Sequence, residues 1–123
     1  MLSEAAVLLM FTVEIGKLLG PSHPPVAIGE LPVNVNAMTR VRGREVESIT
    51  LSYHMAAQLA FVSKKRARRI LLCQARHEAL HVIFTQRGWS NDDNQESLVA
   101  KWMWDAYGEQ FPNCENHMRG GER

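Results

Sequence analysis

Only two cysteines occur in the chain, Cys73 and Cys114, too few for the disulfide framework that staples small secreted domains. A reducing, intracellular setting is the resulting expectation. An excess of charge of one sign is also missing. The 14 Lys and Arg nearly balance the 13 Asp and Glu, for a net charge of +1, so nothing global favours nucleic acid or an acidic membrane surface. Long apolar runs are lacking too. The segment from Ala5 to Val13 is mostly apolar, but a bilayer-spanning helix needs about 20 such residues. Ser3 and Glu4 stand where a secretory signal would carry basic residues, so the expectation is a mature soluble protein of the cytoplasm. There is no internal repeat and no low-complexity tract. What is present is a chain of 123 residues, 46% hydrophobic and 22% charged, the size of one domain with a single core.

Taken in order, Ser3 caps a helix over about 3–19, with Leu8, Phe11, Ile15 and Leu18 as its apolar stripe, and Gly20-Pro21 stops it. A connector with Pro21, Pro24 and Pro25 follows. The segment Val26 to Val35 alternates but is interrupted by Pro32, which confines it to an edge or to two short strands. Val41 to Leu51 is a second β candidate with Gly43 turning a hairpin, and Ile49 to Tyr53 alternates most clearly. His54 to Ser63 reads as a helical turn or short helix. The cations Lys64, Lys65, Arg66, Arg68 and Arg69 then open a long helix that runs to about Gln86. Gly88 ends that helix, and Asp93 or Asn94 caps another through about Tyr107. The end of the chain, 118–123, is expected to fray.

Within the long helix stands His77-Glu78-Ala79-Leu80-His81. Residues four apart on a helix share a face, so the two imidazoles can offer nitrogens to one ion. Neutral imidazole suits Zn²⁺. Glu78 points about 100° round the helix, outside the ligand shell but near enough to take a proton from a metal-held water. That division of roles marks a zinc peptidase. Burying two histidines and a glutamate without partners would cost several kcal/mol, and a metal removes the objection.

A catalytic zinc takes three protein ligands and an open position. Glu96, early in the next helix, is the choice for the third, with Ala100 one turn on leaving room for close packing. Asp92 and Asp93 compete as ligands but serve equally as helix caps. Cys73 shares a face with His77, yet three ligands up one helix cannot wrap one ion, so it reads as a small buried apolar residue. Cys114 and His117 form a bare half-site. Oxyanion donors could come from Tyr107 on the face of Glu96, or from His54 or Tyr53 at the strand end. Two rivals stand beside the enzyme: a latent or non-catalytic zinc protein, its site closed by a fourth ligand such as Cys73, and a nucleic-acid-binding module using Lys64 to Arg69.

The order of short strands, Ile49-Thr50-Leu51, Arg69-Ile70-Leu71-Leu72, the His77 to His81 motif and then Glu96-Ser97-Leu98-Val99-Ala100 resembles the small gluzincin-type metallopeptidases. In particular it resembles the ImmA/IrrE-like enzymes and their short bacteriophage and prophage relatives. The resemblance covers about residues 26–113. It implies one zincin-like α+β domain over 1–123, with an N-terminal helix, a short twisted antiparallel or mixed sheet, and a motif helix followed by a Glu-bearing helix. It further implies that His77, His81 and Glu96 hold one Zn²⁺, with Glu78 as general base and later general acid. Ile49, Thr50, Leu51, Ser52 and Tyr53 would form the edge on which a protein or peptide substrate lies. A regulatory protease of a bacterial or phage-infected cell is the activity so implied, with no membrane partner.

Overall fold

The computed structural model describes residues 1–89 and 93–108. Its elements are α1 (Glu4–Leu19), β1 (Val26–Gly29), β2 (Ala37–Arg42), β3 (Glu45–Ser52), α2 (Tyr53–Leu59), α3 (Lys64–Gln86) and α4 (Asp93–Tyr107). Among the described residues the architecture is α+β, with four helices and a three-stranded mixed sheet. The tail expected to fray, 118–123, lies outside the described residues.

Ser3 caps α1 by accepting a hydrogen bond from the Ala6 N–H at 3.1 Å, and Glu4 in the first turn suits the positive end of the helix dipole. The fully buried stripe is Val7, Phe11 and Ile15, with Leu8 and Leu18 only half-buried. The stripe therefore starts one residue earlier than its apolar spacing predicts, because α1 is apolar on more than one face.

In the sheet, β2 and β3 form a hairpin closed by Gly43 and Arg44, with Arg42 opposite Glu45. Gly43 has φ +62°, the left-handed backbone required at the first position of such a tight turn. Of the Val26 to Val35 segment only Val26–Gly29 is strand. Pro32 instead starts a turn, closed by the Val35 N–H to the Pro32 carbonyl at 3.1 Å, with Asn34 at φ +68°. Asn tolerates that conformation better than most residues.

The strand order is β1-β3-β2, with β1 parallel and β2 antiparallel to β3. This corrects the expectation for Ile49, Thr50, Leu51 and Ser52. They lie in the central strand, paired on both sides, so they have no edge to offer a substrate. Tyr53 is already the first residue of α2. Both β2 and β3 pack on α3, and it is Thr39 of β2 that reaches Glu78 of the motif. Ile49 and Leu51 instead point into the core, fully buried with Phe11, Ile15 and Leu71. Each such side chain contributes about 1.5–3 kcal/mol by leaving water.

Ser63 caps α3, accepting from the Arg66 N–H at 3.1 Å, and the five cations that open the helix are exposed. At the other end Trp89 N–H bonds Phe84 O at 3.0 Å and Gly88 N–H bonds Thr85 O at 3.0 Å. Gly88 has φ +87°. This is the Schellman arrangement, completed by stacking of Trp89 on Phe84 with ring centroids 4.9 Å apart. A Cβ on Gly88 would also meet the Arg44 guanidinium at 2.7 Å, a flexible group that can move aside, so it is the positive φ that favours glycine here.

A second apolar cluster joins α3 to α4 through Cys73, Leu80, Phe84, Val99 and Met103. Ala100, expected at that interface, is exposed. Val99 and Met103 make the contact. Cys73 is fully buried but disulfide-bonded, not a thiol. No helix among the described residues is long and apolar enough to cross a membrane.

Candidate metal centre

The helical period places His77 directly under His81 on the face of α3 that looks toward α4. The Nε2 atoms lie 3.2 Å apart, with the rings at 73° and centroids 4.7 Å apart. From the first turn of α4, Glu96 spans the pair. One carboxylate oxygen is 2.9 Å from His77 Nε2 and the other 2.9 Å from His81 Nε2. The three side chains thus bring ligand atoms within 4.8 Å of one another. Both histidines are buried, whereas the Glu96 side chain is 55% exposed, so the group opens to solvent on the carboxylate side.

The donor set fits a metal ion. Ligands held about 2.0–2.1 Å from a tetrahedral zinc stand about 3.3 Å from one another, close to the separations seen. Two N–H groups would repel at the Nε2 to Nε2 distance, whereas two lone pairs with a carboxylate across them suit a cation. Without one, the hydrogen bond from His77, then that from His81, holds the Glu96 carboxyl far below the usual carboxylate range. For His81, burial works to lower the pKa. The hydrogen bonds to Glu96 and Gln95 outweigh it and raise the ring above its ordinary 6.5.

Three residues that the motif does not include hold this group in place. Gln95 is buried, and its Oε1 lies 2.6 Å from His81 Nδ1. Its Nε2 lies 3.2 Å from the Trp89 carbonyl and 3.4 Å from the Thr85 hydroxyl. A carbonyl can only accept, which fixes the amide with its oxygen toward the ring. His81 therefore donates from Nδ1 and keeps Nε2 for the centre. Glu78 is buried beside His77, with Oε2 3.9 Å from the His77 Nε2. The Thr39 hydroxyl donates to its Oε1 at 3.0 Å, and the Gln74 amide to its Oε2 at 3.0 Å.

Sequence spacing held partial signals for two of these three. Gln74 is one turn before Glu78 on the same helix, and Gln95 precedes Glu96. Thr39 reaches Glu78 only through the fold.

The centre lies in a cleft of about 330 Å³ walled by the loop from Asn34 to Asn36, by Ala37, Met38 and Thr39 of β2, and by His77, Glu78, His81 and Glu96. His54 and Tyr53 are not in it. They line an adjoining cleft that shares Asn34 to Asn36 as its wall. Tyr107 is also elsewhere, packed beneath the Arg76 guanidinium 4.2 Å from its ring centroid. None of these three reaches the centre as an oxyanion donor. Cys73, buried in the α3–α4 apolar cluster and disulfide-bonded, cannot close the site as a fourth ligand. Asp92, the Asp93 side chain, Cys114 and His117 lie outside the described residues. No family model matches the chain, and neither a curated protein nor a solved structure resembles it significantly.

Proposed function

We infer that the chain is a zinc-dependent peptidase of small gluzincin type. The observation that carries this reading is the convergence of His77, His81 and Glu96 on one point, with Glu78 held just outside the ligand set in the same cleft. Two imidazoles and a carboxylate are a catalytic rather than a closed structural ligand set. Among the described residues the group has three members, the number that a catalytic zinc ion would take from a protein. A bound zinc ion would supply an acidified water and polarise the substrate carbonyl.

The rest falls to the chain itself. Glu78 accepts the proton of the attacking water on a carboxylate oxygen and delivers it to the departing amine. Thr39 and Gln74 keep that carboxylate aimed into the cleft. β2 borders the cleft as an outer strand of the sheet. An extended peptide can therefore add to it by main-chain hydrogen bonds, which favours a protein or peptide as substrate.

The test is Glu78→Gln, assayed for zinc content and for cleavage of an unstructured protein such as casein. Retained metal with cleavage reduced by about 10²-fold or more supports the reading. Cleavage unchanged by the substitution rejects it.

A further inference from the structure

Away from the cleft, α1 leaves an apolar face uncovered. Leu9 is 65% exposed and Val13 44% exposed, one turn apart on the outer side of a helix whose inner stripe is already buried. Beside them a groove of about 460 Å³ runs between α1 and the start of α3, with Leu9, Met10, Val13 and Leu71 as its apolar floor. Lys17, Lys64 and Arg68 stand on its rim. Glu14 also lines the groove, but it is bound to Lys17 at 3.4 Å. The first turn of α3 contains no acidic residue, and no ion pair engages Lys64 or Arg68 among the described residues.

Five cations at a helix N-terminus oppose the helix dipole, so the run weakens α3 rather than stabilising it. An apolar floor beside two cations on its α3 rim, Lys64 and Arg68, complements one kind of surface. A helix with an apolar stripe flanked by carboxylates would bury the stripe and pair the charges. Leu9 to Lys17 spans about 12 Å of helix axis, enough for two turns of a partner with anchors at i, i+4 and i+7. A lipid surface is flat where this site is concave, and a nucleic acid offers nothing to the apolar floor.

We propose that the groove between α1 and the start of α3 docks an acidic amphipathic helix of a partner protein. The probe is a synthetic helix with Leu at i, i+4 and i+7 and Glu on both flanks, titrated against the full chain by fluorescence anisotropy. Two control peptides have the same composition scrambled, or Lys in place of Glu. The acidic helix binds, and both controls bind at least about tenfold more weakly. Leu9→Asp abolishes binding. Lys64→Glu with Arg68→Glu weakens it by a similar factor and reverses the preference toward the Lys peptide. All three positions are exposed, so circular dichroism stays unchanged.

Failure of the acidic helix to bind overturns the proposal, as does equal binding of the scrambled peptide. So does stronger binding to phosphatidylglycerol vesicles or duplex DNA that the same charge reversal removes.

Discussion

Gln95 Oε1 accepts the Nδ1 proton of His81 at 2.6 Å, and the amide that does so is oriented by the carbonyl of Trp89. The helix stop at Gly88 and the tautomer of a ring in the proposed metal centre are therefore parts of one chain of contacts. Replacing Gln95 with Leu should weaken zinc binding about 10–100-fold, the usual effect of losing such an orienting partner. Gln95→Glu should restore it, because a carboxylate accepts the same proton. Competition with a chromophoric chelator measures both, and equal affinities across the three proteins would contradict the role.

Gly88→Ala tests the start of that chain of contacts. The left-handed backbone at φ +87° costs an L-residue about 1–2 kcal/mol, and the added methyl must push Arg44 aside. The melting temperature should fall. Zinc affinity should fall with it, as the Trp89 carbonyl moves and Gln95 loses its anchor. A lower melting temperature with unchanged zinc affinity would separate the helix stop from the site.

Thr39→Val and Gln74→Leu remove the two donors to Glu78 without touching a proposed ligand. Zinc binding should stay within about twofold, while kcat for a peptide falls about tenfold or more for each, on the scale of other orienting contacts. Loss of metal in either variant would show that these residues support the ligands instead.

The metal-free protein should have a characteristic pH optimum. His81, raised above 6.5, contributes stability that is complete below that value and lost as pH climbs through the higher folded one. Glu96, depressed below 4.5, contributes stability that is complete above that value and lost as pH falls through the folded one. Both are present between 4.5 and 6.5, so thermal stability without metal should peak there. Glu96→Gln should flatten the peak. Zinc must displace the His81 proton, so its affinity should rise with pH through the raised value. A pH-independent affinity would contradict the assignment.

Local patterns were readable in the sequence wherever the structure is local. The Ser3 cap, the Gly43 turn, the Gly88 stop and the spacing of His77 to His81 are all written in a few neighbouring residues. Glu96 was within reach because the connection from α3 to α4 is short, so the first turn of α4 returns near the motif. Strand order was not readable. Ile49 to Leu51 alternates as an edge or a central strand would, and only the parallel pairing with β1 decides between them. For Thr39 the contact with Glu78 depends on how β2 lies across α3, which no spacing along the chain encodes.

Zinc stoichiometry of the purified chain, compared with that of Glu96→Ala, tests the centre most directly. One equivalent of zinc in the wild type, and a sharp loss in the variant with its fold intact by circular dichroism, is the expected result. A full equivalent retained by Glu96→Ala, or none bound by the wild type, would contradict a centre built jointly from His77, His81 and Glu96.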